Sequence, residues 1–145
     1  MPIQVPESAA CAFCDYMSGK RPYTVLLTTP LSAVLVTREQ RGVGHVLVIP
    51  RTHRDTILDA TDEEAADLGR VVRQVARAID AVYERPGIAV WQNNGVPANQ
   101  AIGHLHFHVA GTVAGGSTLW GEVDELTVAQ TDGIARALEQ GLRRG

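Results

Sequence analysis

Gly103-His104-Leu105-His106-Phe107-His108-Val109-Ala110-Gly111 places a histidine at every second position, three times over, in a chain that has only five. Successive side chains on a strand point to opposite faces. The spacing therefore predicts a strand with His104, His106 and His108 on one face and Leu105, Phe107 and Val109 on the other. Neighbouring imidazoles on that face would stand roughly 6.5–7 Å apart at Cα, from a rise of about 3.3 Å per residue. The apolar set reads as core. The histidine set does not read as an ordinary solvated face, which Thr, Lys or Glu fills more simply. Two chemistries fit it. Two or three of the rings ligate one metal ion, since positions i and i+2 on a strand can reach a single ion. Alternatively, one ring is a nucleophile toward phosphorus and its neighbours donate hydrogen bonds to phosphate oxygens.

Outward from that row, the chain alternates between β-like and helix-like patterning. From Pro22 to Ile49 it is β-rich, with YTVLLTT, SAVLVT and HVLVIP as strand candidates separated by Thr29-Pro30 and by Arg41-Gly42-Val43-Gly44. Thr61 followed by Glu64 is a capping-box pattern. Behind it Ala65, Leu68, Val72, Val75, Ala76, Ile79 and Val82 recur at three and four, which predicts a helix from Asp62 to Tyr83 ended by Pro86-Gly87. IAVWQNN returns to strand, Asn94-Gly95-Val96-Pro97 reads as a loop, and a second helix is expected from about Val128 to Leu142. Strands without regular βαβ alternation predict an α+β fold: an antiparallel sheet of about five strands with two helices. Over 1–145 we expect a single domain, with an arm at 1–10, a core at 11–110 and a helical C-terminal extension at 111–145.

Composition narrows the function. At 145 residues, 45% hydrophobic and 20% charged, the chain can bury a core without staples. A formal charge of −3 argues against a nucleic-acid partner. No run is long and apolar enough to predict a membrane span, and MPIQVPESAA lacks a signal pattern, so the expected location is the cytoplasm. Gly42-Val43-Gly44 and Gly19-Lys20 do not form dinucleotide or Walker loops. If phosphate is handled here, histidine handles it. The two cysteines, Cys11 and Cys14, form a Cys-x-x-Cys pair. Alone it is open to three readings: metal ligands, a redox dithiol, or incidental thiols. A closed zinc site needs two further ligands.

GHLHFHVAG resembles the signature of the histidine triad (HIT) family, in which histidines alternate with apolar residues. His45-Val46-Leu47-Val48-Ile49-Pro50-Arg51-Thr52-His53 resembles that family's second recognisable segment, and Asn93-Asn94-Gly95 and Gln100 fall where it has a phosphate-side loop. The similarity runs from about Cys11 to Ala110. It implies a HIT-like fold, a two-fold homodimer, and a nucleotidyl hydrolase or transferase acting on a nucleotide phosphoester, phosphoanhydride or phosphoramidate. His106 would be the nucleophile, forming a covalent nucleotidyl-histidine. His108 and His45 would hydrogen-bond phosphate oxygens or the leaving group, and Asn93 and Gln100 would bind substrate. The resemblance also implies a structural zinc held by Cys11, Cys14, His53 and His104, with no redox cofactor.

The chain departs from the family pattern at three positions. Thr37, followed by Arg38 and Glu39, stands where nucleotide-binding branches place an acid for the ribose. Ala101 replaces the hydroxyl residue that follows the glutamine in the phosphoramidase branch, and Gly103 replaces a bulkier residue. A catalytically weak nucleotide- or protein-binding module, a metallohydrolase with the triad rings on one ion, and a thiol redox protein are the rival expectations. Trp91 and Trp120 read as packing residues.

Overall fold

In the computed structural model, which describes residues 2–144, five strands form one antiparallel sheet: β1 (Val25–Thr28), β2 (Ser32–Val36), β3 (Val43–Pro50), β4 (Ile88–Gln92) and β5 (Phe107–Gly111). Their order across the sheet is β1-β2-β3-β5-β4. Every residue of β2 and all but the first of β3 are buried, which explains their unbroken apolar runs: both faces of the sheet centre are covered. On one face Val34, Val36, Val46, Val48, Leu105 and Val109 pack against the two long helices. On the other, Ala33, Leu35, Leu47 and Ile49 meet Phe13 of a short N-terminal helix.

That short helix, α1 (Ala12–Ser18), is a correction to the expected two helices; the described residues form three α-helices. It is only seven residues long and buries a single side chain, Phe13, so it carries no amphipathic period to read. Its first turn is capped by Cys11, whose Sγ accepts from the Cys14 backbone N–H at 3.4 Å. The second helix, α2 (Asp62–Tyr83), has the expected bounds, and the Thr61–Glu64 capping box is formed in both directions. Its buried stripe runs through Leu68, Val71, Val75, Ala78 and Ile79, while Ala65 is exposed. The buried side is rotated relative to the sequence pattern because α2 packs on both the sheet and the third helix, α3 (Val128–Arg144). A capping box also opens α3. Thr127 Oγ1 accepts from the Gln130 N–H at 3.1 Å, and Gln130 Oε1 accepts from the Thr127 N–H at 2.8 Å.

Two local features aim the sheet at the site. Between Val43 and Val46 the β3–β5 register shifts by one residue, with Gly44 in a left-handed conformation at φ +67°. This glycine bulge bends β3 where His45 follows. The expected arm is held at Gln4 and packed at Pro6. The Val96 N–H donates to the Gln4 carbonyl at 2.7 Å, and a Cβ on Gly103 would lie 2.7 Å from the Pro6 carbonyl. A bulkier residue at 103 would push the arm off the chain that leads into the triad.

Candidate active site and metal centre

The histidine row begins before its strand. β5 starts at Phe107, so His104 and His106 lie on the irregular approach to it, yet the alternation of faces persists. Leu105, Phe107 and Val109 join the helix-side core, while His104 and His106 pack edge-on against Phe13 on the α1 side. His108 is paired across the sheet with Leu47 of β3 and Trp91 of β4. The Trp91 indole lies parallel to the His108 ring, with centroids 4.6 Å apart and planes at 3°. Trp91 is therefore more than generic packing. Trp120, by contrast, is 74% exposed and leans toward Trp91 at 6.3 Å.

Which nitrogen each ring presents follows from what its other nitrogen touches, because a carbonyl only accepts. His106 Nδ1–H donates to the His104 carbonyl at 2.7 Å, leaving Nε2 with its lone pair. The bulge brings the His45 ring beneath the backbone N–H of Arg41, which donates to His45 Nδ1 at 3.0 Å. His45 Nε2 must then carry the proton, and it faces His108 Nδ1 at 3.0 Å. His108 in turn holds its own proton on Nε2. Burial, then the Arg41 charge, pushes His45 down to about 3, with the Glu39 carbonyl opposing. Burial and the neighbouring His106, His45 and Arg41 bring His108 to about 2, and burial lowers His106 as well. At neutral pH the row holds neutral rings in fixed tautomers.

His104 and His53 are turned the other way. His104 Nε2–H donates to the Pro50 carbonyl at 2.9 Å, and His53 Nε2–H to Asp55 Oδ1 at 2.8 Å. Their Nδ1 atoms face the thiols. His104 Nδ1 is 3.3 Å from Cys11 Sγ and 3.7 Å from Cys14 Sγ, and His53 Nδ1 is 3.6 Å from Cys14 Sγ. The four ligand atoms lie within 4.8 Å of one another. Zinc bonds of about 2.3 Å to sulfur and 2.0–2.1 Å to nitrogen at tetrahedral angles put neighbouring ligands about 3.5 Å apart. The residues fit such an ion, and the Pro50 and Asp55 oxygens orient both rings as outer partners do in metal sites. The triad rings do not converge on one ion, since His104 Nδ1 faces the thiols and His106 Nδ1 is tied to a carbonyl.

A cleft of about 180 Å³ opens beside His45, His106 and His108, with Phe13, Tyr16, Tyr23, Leu47 and Ile102 as apolar walls and Thr37, Arg38, Arg41 and Glu125 at its polar end. A larger open groove, about 1020 Å³, runs between the N-terminal arm and His53–Asp55 and touches none of those three imidazoles. The smaller cleft is the one with chemistry in it. Thr37 Oγ1 is occupied by the Glu39 N–H at 3.1 Å. Arg38 Nε donates to the Leu126 carbonyl at 2.6 Å, and Arg41 to that of Gly121, pinning residues 119–126 along the cleft's edge.

Asn93 lies half-buried at the end of β4. The Gln100 amide is fully used inside the loop: Oε1 accepts from the Gly95 N–H at 2.7 Å, and Nε2 donates to the carbonyls of Asp55 at 2.8 Å and Ile102 at 2.9 Å. Sequence reasoning missed Gln40, which bonds the His45 backbone, and Arg41 and Trp91, which touch the rings of the row; only Gly44 ahead of His45 hinted at the bulge that gathers them.

Residues 18–114 match the HIT domain family. The chain belongs to that family. It is 35% identical over 100 residues to an adenosine 5′-monophosphoramidase of Schizosaccharomyces pombe, covering 69% of this chain and 72% of that one. It is also 35% identical over 85 residues to an asymmetrical bis(5′-nucleosyl)-tetraphosphatase of the same yeast, covering 59% of this chain and 47% of the relative. Among solved structures, a zinc-bound histidine triad family protein from Mycobacterium smegmatis superimposes with a TM-score of 0.80 at 25% identity, over 95% of this chain and 96% of that one. The HIT architecture expected from the sequence is thus the one observed, with one helix more.

Proposed function

We propose that this HIT protein hydrolyses or transfers a nucleotidyl group from a phosphoester, phosphoanhydride or phosphoramidate through a covalent intermediate on His106. The observation that carries this reading is the His106 ring: Nδ1–H tied to a backbone carbonyl, Nε2 bare and presented at the cleft. Two family relatives named for nucleotide hydrolysis support the substrate class. Nε2 attacks the α-phosphorus, the bond to the leaving group breaks, and that group leaves with the bonding pair. His108 Nε2–H donates a hydrogen bond to that group as it departs; a phosphate leaves as its anion, and an amine takes its proton from solvent. The His45 proton, in line behind His108, stabilises the row as charge moves. Water then cleaves the phosphorus–nitrogen bond and releases the nucleotide, its surplus proton passing to solvent, and His106 returns to the neutral ring with Nε2 bare. A rigid row supplies these donors without solvent reorganisation.

The remaining residues take supporting parts. The resemblance assigns Asn93 to the phosphate side of the substrate, and Gln100 acts by holding the loop that turns into the triad. Zinc is the ion we assign to Cys11, Cys14, His53 and His104; when bound, it cross-links α1, the loop after β3 and the approach to β5. The zinc-bound family structure and the 3.3–3.7 Å ligand spacings support that choice. Thr37 lacks the charge that would hold ribose hydroxyls, and Ala101 has no hydroxyl to assist an amine, so we expect phosphoanhydrides to be cleaved at least as well as phosphoramidates.

The test is incubation with a panel of nucleoside phosphoramidates and dinucleoside polyphosphates, followed by mass-spectrometric mapping of acid-labile adducts. A nucleotidyl group on His106 is expected. No adduct and no turnover across the panel would favour a silent nucleotide-binding module instead.

A further inference from the structure

The bulge in β3 creates a problem that the sequence solves with one side chain. The β2–β3 pairing ends at Val36 opposite Val46, and the β3–β5 pairing skips from Val43 to Val46. His45 therefore has no residue opposite it on either neighbouring strand. Its backbone groups are nevertheless buried and must be paired. Gln40 pairs them: its Oε1 accepts from the His45 N–H at 3.0 Å, and its Nε2 donates to the His45 carbonyl at 2.8 Å. The same Nε2 donates to the Thr37 carbonyl at 2.7 Å, closing the turn from Thr37 to His45 on itself. The next residue, Arg41, points its backbone N–H at His45 Nδ1.

We propose that Gln40 is a positioning residue that sets the tautomer of His45, and through it the proton that His108 presents to substrate. Its amide stands in for a missing strand and holds the Arg41 N–H at 3.0 Å from the ring. Without that amide the turn loosens, and the His45 ring is free to take the opposite tautomer, with Nδ1–H toward the Glu39 carbonyl. His45 Nε2 would then be a bare acceptor facing His108 Nδ1. His108 would have to move its own proton to Nδ1 and would present a lone pair, not a donor, to the leaving group. Gln40 itself is absent from the residues that line the cleft, so its effect passes through the turn it closes and the ring that turn holds.

The inference rests on the proposed role of His108 as donor, and the experiment separates the two. Long-range ¹H–¹⁵N spectra of the wild-type histidines read the tautomers directly, whether or not the protein turns over any substrate. A His45 held as Nε2–H is expected; an Nδ1–H or averaged His45 in the wild-type protein would overturn the proposal. Gln40→Met, similar in length but lacking the amide, should move His45 to an averaged tautomer. In the same variant kcat should fall by about 10–100-fold with KM within about threefold, the pattern of a lost transition-state donor. A folded Gln40→Met protein with the wild-type tautomer and unchanged kcat would sink the positioning role while leaving the His106 chemistry intact. Absence of a His106 adduct in the wild type, with the tautomers as expected, would instead sink the catalytic reading alone.

Discussion

The five histidines fall into two groups that differ in which ring nitrogen is tied down. In the cysteine-side pair, His53 and His104, an oxygen holds Nε2 and Nδ1 is turned to sulfur. In the cleft-side row, His106, His45 and His108, the partner holds Nδ1 and Nε2 faces outward or along the row. His104 and His106 are separated by one residue, and a single carbonyl links them, since His106 leans on His104's own backbone oxygen. In the proposed roles, one short segment carries a ligand and a nucleophile side by side. The role of each is written in its second nitrogen and not in its place in the repeat.

The sharpest way to break that comparison is to remove one member of each group and ask what is lost. His106→Ala should reduce nucleotidyl turnover by about 10⁴-fold or more while leaving bound metal unchanged, as expected when a nucleophile is deleted. Kinetics and metal analysis on one preparation check it, and loss of metal together with activity would mean the two groups are not separable. Cys14→Ser is the converse. It should abolish tight metal binding and lower the melting temperature by about 10 °C, on the order of 3 kcal/mol for a chain of this size. Turnover measured well below that temperature should stay within about tenfold. If chelator stops turnover without lowering the melting temperature, the metal belongs to the chemistry.

A smaller effect sharpens the cleft side alone. His45 and His108 are held neutral in the folded protein, with values of about 3 and about 2, facing Arg41, His106, Trp91 and each other. Unfolded, each binds a proton below its ordinary value near 6.5. Between about pH 6.5 and pH 3 the unfolded chain therefore holds more protons, so stability from these rings is complete above pH 6.5 and falls as the pH drops. Each ring contributes a slope approaching about 1.4 kcal/mol per pH unit. Denaturant titrations between pH 7 and 5 should show it, and His45→Gln should remove one ring's share of the slope.

Much of this was legible in the residues, and what was not has a common cause. Helix α2 was readable because Thr61, Glu64 and a 22-residue apolar period agree with one another. The triad was readable because alternation needs only the local backbone, and it survives even where the strand has not begun. Cys11, Cys14, His53 and His104 came together, as the resemblance implied, in a cluster that could hold a metal ion. Helix α1 was hidden because its one anchor, Phe13, is defined by what it meets: Leu35, Leu47 and Ile49 from two distant strands. Gln40's task was hidden for the same reason, since a glutamine in a turn looks solvated until the bulge beside it is known. Gly103 looked like an anomaly at the triad, and its cause lay in Pro6, almost a hundred residues earlier.

The parallel stacking of the Trp91 indole on the His108 ring has a practical consequence. The chain has two tryptophans, and the other, Trp120, sits largely in solvent. Trp120→Phe would leave a single fluorophore lying flat against an imidazole that borders the cleft. Its emission should dim or shift whenever that ring gains a proton or meets a phosphate, so occupancy of the cleft could be followed in a stopped-flow cuvette with no label added.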